Sequence, residues 1–301
     1  MVRHADPRAF LDRAEPWLLQ REAENNLPLG VAASLVGTRP AESSDRASSS
    51  GPAAASTHSV AVHPPPFYFA TIELGNDIVG CAFRTPPYKL GLTDMPLEAI
   101  PPLAGDVADI YEEIPAVLGP VTVARAFGDA WNRLRGVRVT PGTRQRIHIL
   151  ERVMAPARMA AGKARLAAPA DVELVTEWLD SFERETGLGH PGDPLARARR
   201  LCGGDGGNRL LALWEDGAPV SMAGFPAHTR HGVRIGYVYT PDEHRRRGYA
   251  TALVARLSSH ALDLGFGHCV LYTDLANPTS NKIYREIGYR PLQDVMDVEF
   301  E

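Results

Sequence analysis

The sequence predicts an α/β protein with a mixed sheet and helices on its faces, arranged in two halves. Three observations carry this prediction. From Ala164 onward, short β-branched and aromatic runs alternate with amphipathic helical runs. Before that, another mixed set of strands and helices is set off by the small-residue connector Ala155 to Lys163. The 301 residues, 44% hydrophobic and 23% charged, have the composition of a soluble globular chain and suffice for one large or two ordinary domains.

The first half opens with an amphipathic run from Pro7 to Leu27, with Asp6 as N-cap, Pro7 in the first turn and Pro16 as a kink or restart. Residues from about 37 to 66 are mostly Ser, Ala, Pro and Gly. Such a stretch cannot bury enough apolar area to offset its ordering entropy, so a disordered loop is expected there. Pro66 to Leu74 and Asp77 to Thr85 read as strands joined by the hairpin pair Gly75-Asn76. Leu103 to Tyr111, after Pro101-Pro102, and Val121 to Leu134 read as helices, and Arg144 to Arg152 as a strand. None of these segments carries a chemical motif.

The second half is more regular. A strand at Ala164 to Ala168 leads into helices Val172 to Glu185 and Pro194 to Leu201, followed by a break at Gly203 to Gly207. Strands follow at Arg209 to Glu215, Pro219 to His228 and Val233 to Thr240. Then come a helix from Gly248 to Leu264, a strand at His268 to Thr273, a helix from Pro278 to Ile287, and strands near Tyr289 and at Val295 to Phe300. Trp178 and Phe182, four apart, read as core, and Cys269 as a small core hydrophobe.

The net charge of -4 argues against bulk electrostatic binding of nucleic acid. No apolar run is long enough to span a membrane, and Met1 to Phe10 lacks the apolar core of a secretory signal. Three cysteines without a Cys-x-x-Cys pair fit a reducing cytoplasm and supply no metal framework.

Two segments carry chemistry. The first is VYTPDEHRRRGYA, Val238 to Ala250, with Arg245-x-x-Gly248-x-Ala250 at its core. A strand ends, a turn follows and a helix begins. A helix start exposes unpaired N–H groups and the positive end of the dipole, which suits a pyrophosphate. Gly248 lets the backbone approach closely, and Arg245, Arg246 and Arg247 add positive charge. The second is Asn277-Pro-Thr-Ser280-Asn281-Lys-Ile-Tyr284, where Asn277 is a good N-cap and Ser280 and Tyr284 share a helix face.

In this order and spacing the two segments resemble the acetyl-CoA-binding loop and the Asn-x-x-Ser-x-x-x-Tyr helix of GNAT acetyltransferases. FLDRAEPWLLQREAENNLPLG and FRTPPYKLGL further resemble the N-terminal half of tandem members of that family. The resemblance implies two GNAT-like domains. Residues 1–155 would be a degenerate copy without the cofactor loop, and 156–301 a complete acetyltransferase domain. It implies acetyl-CoA as cosubstrate, held by Val238, Tyr239, Arg245, Arg246, Arg247, Gly248, Tyr249, Ala250, Asn277, Ser280 and Asn281, with no metal. A primary amine of a small molecule or peptide would attack the thioester directly in a ternary complex. A homodimer is compatible with it, and neither nucleic acid nor membrane is an expected partner.

Tyr284 matches the family's general acid for the leaving thiolate; a phenol with pKa of about 10 is suited to that proton transfer. Backbone N–H near Val238 or Tyr239 would receive the oxyanion. The family's strand glutamate is missing, and Arg234 stands at its place. Glu183, Glu185, His228 and Asp274 are the candidate residues for a base; a water chain, or a substrate amine of low pKa, are the alternatives. Ser181 to Asp193 is the expected specificity segment. The alternative reading is a non-catalytic acyl-CoA-binding regulatory protein, in which the missing glutamate marks lost catalysis.

Overall fold

Capping and turn chemistry set the first elements of the chain, whose computed structural model describes residues 1–37, 67–156, 159–187, 192–203 and 210–301. The expected disordered loop therefore lies almost entirely outside the described residues, as does most of the Gly203 to Gly207 break. Strand β1 (Val2–Arg3) precedes helix α1 (Pro7–Leu18), where the Asp6 carboxylate accepts the Ala9 N–H at 2.9 Å. The expected single helix to Leu27 is two. Pro16 is accommodated two residues before the end of α1, and the chain restarts as α2 (Asn26–Gly37). Asn25 donates its amide to the Leu18 carbonyl at 3.0 Å, satisfying an acceptor that α1 leaves free at its C-terminus.

Strands β2 (Tyr68–Leu74) and β3 (Asp77–Arg84) form the expected hairpin, with Gly75 at φ 62 in its turn. Two short strands were not expected: β4 (Leu90–Leu92) and β5 (Ala116–Pro120). Each is a few residues long and almost wholly buried, so neither shows an alternating pattern. Helix α3 (Ile100–Ala108) takes Pro101 and Pro102 into its first turn, where no backbone donor is needed, and so starts earlier than expected. Helix α4 (Val121–Arg135) ends on Gly136 at φ 68. Strand β6 (Val139–Leu150) is longer than its alternating core.

The second half supplies β7 (Lys163–Leu166), α5 (Val172–Thr186), α6 (Pro194–Gly203), β8 (Leu210–Asp216), β9 (Ala218–His228), β10 (Gly232–Tyr239), α7 (Tyr249–Asp263), β11 (His268–Asp274), α8 (Pro278–Ile287) and β12 (Arg290–Phe300). The two expected last strands are one. No helix among the described residues is long and apolar enough to cross a membrane.

The described strands form one mixed sheet in the order β1-β2-β3-β4-β5-β12-β6-β11-β10-β9-β8-β7. Its centre is an exchange. In each half a parallel pair, β4 with β5 or β10 with β11, is followed by a helix and a final strand. Each final strand lies beside the other half's pair: β12 against β5, β6 against β11, with β12 and β6 antiparallel between them. Strand pairing therefore crosses the expected division at residue 155.

Helices cover both faces. Phe10, Leu18 and Leu29 of α1 and α2 pack on Phe69, Cys81 and Phe83. Phe127 and Trp131 of α4 stack on the opposite face, ring centroids 5.9 Å apart. Each such buried side chain contributes about 1.5–3 kcal/mol. In the second half, α5 and α6 cover one cluster, and α7 and α8 another that includes Cys269 and Leu271. By strand alternation Val270 and Tyr272 point the other way, and Tyr272 receives a hydrogen bond from Asn26 of α2 at 3.0 Å. Helices α1, α2, α5 and α6 thus share one face. Polar bonds also tie the halves together: Glu22 accepts from Thr229 Oγ1 at 2.5 Å and from the His231 N–H at 2.7 Å.

Candidate active site

Strand β10 runs beside β11 for only three residues, Gly232 to Arg234 against His268 to Val270. Beyond that the strands part, although β10 continues to Tyr239 and β11 to Asp274. On its other side β10 has two register shifts against β9, and Tyr237 lies in the left-handed region at φ 54. A bulge of this kind re-aims side chains and backbone groups at the end of a strand. The result is a gap at the C-terminal ends of two parallel strands, where open α/β sheets take ligands.

The chain then turns through Pro241 to Gly248. Arg246 has φ 62 and Gly248 φ 85, so two left-handed residues fold the backbone back just before α7. A Cβ on Gly248 would meet only the Ala160 Cβ, at 3.8 Å, so the space above it is open. The first N–H groups of α7 lack intrahelical partners, as at any helix start. Arg246 and Arg247 are exposed, with no ion pair among the described residues. Arg245 donates to the Thr240 carbonyl at 2.8 Å and pairs with Glu185 and Asp242, each at 2.6 Å. Tyr249 is an anchor: it is buried and donates its hydroxyl to Asp216 at 2.6 Å. Ala250 follows it in the first turn, half-buried.

Val238 packs towards the α7 core, whereas the Tyr239 ring lies 6.1 Å from that of Trp178 on the opposite face. Across the gap, Asn277 caps α8 by accepting the Ser280 N–H at 3.1 Å. Asn281 is engaged locally. It donates to the carbonyls of Asp274 and Asn277 and accepts from Thr273 Oγ1 at 2.7 Å. These two asparagines build the turn that aims α8. Ser280 and Tyr284 follow on one face. Tyr284 is 7% exposed and packs edge-on against Tyr289 at 5.9 Å; its hydroxyl has no hydrogen-bond partner among the described residues. Burial raises its pKa above the usual phenol value.

The candidate bases fare differently. Glu183 is ion-paired with Arg197, and Glu185 with Arg245. Asp274 accepts the Ala276 N–H at 2.8 Å in the turn before α8. His228 pairs with Val233, at the end of β10 far from the loop. Arg234 alternates with Val233 and Ile235 of the α7 core, so it faces the α2 side. Cys269 is wholly buried, which pushes its thiol up to about 12 and leaves it unreactive.

Sequence reasoning missed the contribution of the first half. Tyr88, between β3 and β4, lies in the electrostatic field of Arg197, Tyr237 and Arg200. A side chain of the first half is thus within electrostatic reach of α6 and β10 of the second. The PPYK signal around it is a turn signal only and says nothing about a distant strand. A narrow groove lies elsewhere, under α1 and α2 at the ends of β4 and β5, with Trp17, Arg21 and Asp94 in its wall. Tyr272, Gln293 and Val295 of the second half also line it. No group of three or more His, Cys, Asp or Glu among the described residues is placed to hold a metal.

Comparison with known proteins bears on this geometry. The profile of the acetyltransferase (GNAT) family matches residues 173–289. No curated protein matches the chain. Among solved structures, a GCN5-related N-acetyltransferase from Sphaerobacter thermophilus superposes with a TM-score of 0.54 at 18% identity, covering 75% of this chain and 78% of its own. An acetyltransferase of the GNAT family from Colwellia psychrerythraea gives 0.52 at 12%, covering 78% and 86%. A GCN5-related N-acetyltransferase from Kribbella flavida gives 0.51 at 15%, covering 74% and 88%. At these identities the structural likeness speaks to fold, and the family profile spans the β10 loop and α8. Residues 173–289, the segment that holds the β10 loop and α8, are those that match the GNAT family of acetyltransferases.

Proposed function

We propose that the protein is an acetyl-CoA-dependent N-acetyltransferase acting on a primary amine of a small molecule or peptide. The observation that carries this reading is the parting of β10 from β11 directly before the left-handed turn at Arg246 and Gly248. The chain fits the cosubstrate there. Backbone N–H groups at the start of α7, with Arg246 and Arg247, suit a pyrophosphate, and open space over Gly248 allows close approach. The edge of β10 beyond Arg234, where the ladder to β11 stops, suits the amides of a pantetheine arm.

In this reading the chain's groups act in sequence. β10 N–H groups near Val238 and Tyr239 receive the oxyanion as the amine adds to the thioester carbonyl. Tyr284 gives its proton to the departing thiolate, and its raised pKa keeps the phenol protonated at neutral pH. Removal of the ammonium proton is left to solvent or a water chain, because Glu183 and Glu185 are tied to arginines. The first half would act as a degenerate copy. Its β5-α4-β6 order repeats β11-α8-β12, but it has no Arg-x-x-Gly-x-Ala loop.

Thiol release from acetyl-CoA over a panel of amines tests the proposal: amine-dependent release supports it. The ion-paired state of both glutamates favours a second reading, a non-catalytic acyl-CoA sensor. Tight acetyl-CoA binding without release for any amine would select it.

A further inference from the structure

Asn26, the first residue of α2, is 4% exposed and belongs to the first half, yet it lies where β10 and β11 part. It lines a tight crevice with Arg234 and Val270, the last two residues to pair before those strands separate. Its Nδ2 donates to the Ala23 carbonyl at 2.7 Å and to the Tyr272 hydroxyl at 3.0 Å. A carbonyl only accepts, so Ala23 fixes which end of the amide is the nitrogen. The other end, Oδ1, is buried with no partner among the described residues. A donor arriving at this point would remove the cost of leaving it unpaired.

Tyr272 stands on β11 two residues beyond Val270, so it is on the strand that borders the gap. Asn26 takes one lone pair of its hydroxyl oxygen. The second lone pair and the O–H have no partner among the described residues. The same side chain lines the narrow groove under α1 and α2. Trp17, Leu27, Leu92, Leu118, Ile147 and Val295 give that groove apolar walls. Its charged lining residues are Arg21, Glu24 and Asp94, and Arg21 pairs with Glu24 at 3.2 Å and with Asp94 at 3.1 Å. One guanidinium against two carboxylates leaves a net negative charge, which suits an entering amine and opposes a carboxylate.

We propose that Tyr272 and Asn26 seat the acceptor amine, and that the groove takes its tail, which is slim and apolar. The N–H groups of a primary amine go to Tyr272 Oη and Asn26 Oδ1, and the nitrogen lone pair is left for the thioester in the gap. Asn26 also positions Tyr272, through the bond from Nδ2. The first half then serves as a wall of the acceptor site, supplied by α1, α2, β4 and β5. The inference rests on the N-acetyltransferase reading for the position of the thioester.

The test is calorimetric titration of the full chain, saturated with CoA, by n-hexylamine and by ethylamine. Hexylamine should bind roughly tenfold tighter or more, because its longer tail is buried in the groove. Tyr272→Phe should weaken hexylamine roughly tenfold and leave CoA affinity unchanged. Asn26→Leu should weaken it as well, and the double variant should lose less than the sum of the two, since Asn26 acts in part through Tyr272. Should Asn26→Leu not fold, the two amines and Tyr272→Phe still decide. Equal affinities of the two amines, unchanged hexylamine binding in Tyr272→Phe, or additive losses overturn the proposal. The readout needs no acyl transfer, so a lack of turnover with every amine would overturn the enzymatic reading separately.

Discussion

Arg245, at the start of the left-handed turn, is held by Glu185 at the end of α5, Nη2 to Oε2 at 2.6 Å. Asp242 takes the other guanidinium nitrogen, so two carboxylates offset the charge that faces the proposed pyrophosphate site. Both partners of the Glu185 pair are about half exposed, and such a pair is worth about 0–1 kcal/mol. Glu185→Ala should therefore leave the melting temperature within a few degrees. It should raise affinity for CoA roughly two- to fivefold, with the gain shrinking as salt screens it. Thermal melts and calorimetry at two ionic strengths check both parts.

Gly248 gives a sharper outcome. Its φ of 85 disfavours any L side chain, at about 1–2 kcal/mol, but the space above it is open. Gly248→Ala should fold and bind CoA with modest loss. Gly248→Asp adds the same strain plus a negative charge where the pyrophosphate is proposed, and should lower affinity by roughly a hundredfold or more. Equal affinities of the two variants in calorimetry would remove the cofactor from this turn.

The halves are joined by Glu22, and that joint responds to acid. Burial acts to raise the Glu22 pKa, but the bonds from Thr229 and His231 outweigh it, and the net value lies below 4.5. A depressed folded-state pKa means stability that is present above pH 4.5 and lost as pH falls through the folded value. Glu22→Gln should destabilise the protein by about 1–3 kcal/mol at neutral pH, with a smaller difference well below pH 4.5. Denaturant titrations across that range would show the two curves converging; parallel curves would mean that Glu22 contributes nothing through its charge.

Much of the second half was legible because its signals are local. Asn277, Pro278 and Gly288 mark the ends of α8, and the apolar spacing through Leu253 and Leu257 marks α7. What stayed hidden depends on distant pairing. β4 and β5 are too short and too buried to alternate, and nothing local marks Asp297 as buried until β12 is set between β5 and β6. The division near residue 155 follows composition, yet strand exchange is a property of register between halves, which composition does not encode. Asn281 looks like a ligand by motif, but its amide is engaged by its own turn.

Tyr284 bears the most direct prediction. Its ring lies edge-on to Tyr289 in the core cluster that also holds Tyr249 and Leu253, and its hydroxyl has no hydrogen-bond partner among the described residues. Tyr284→Phe keeps that packing and removes only the proton donor. If the phenol protonates the departing thiolate, kcat and kcat/KM should fall together by roughly 10²–10⁴, with acetyl-CoA affinity nearly unchanged. Because burial raises the phenol's pKa above 10.0, the acid form persists through the whole neutral and mildly alkaline range. An alkaline loss of activity below pH 10 would then belong to another group. The loss in Tyr284→Phe should shrink with an acyl donor whose thiol is more acidic, since a better leaving group needs less protonation. Rapid-quench kinetics with two such donors reads this directly; the same loss for both would assign Tyr284 to packing and not to proton transfer.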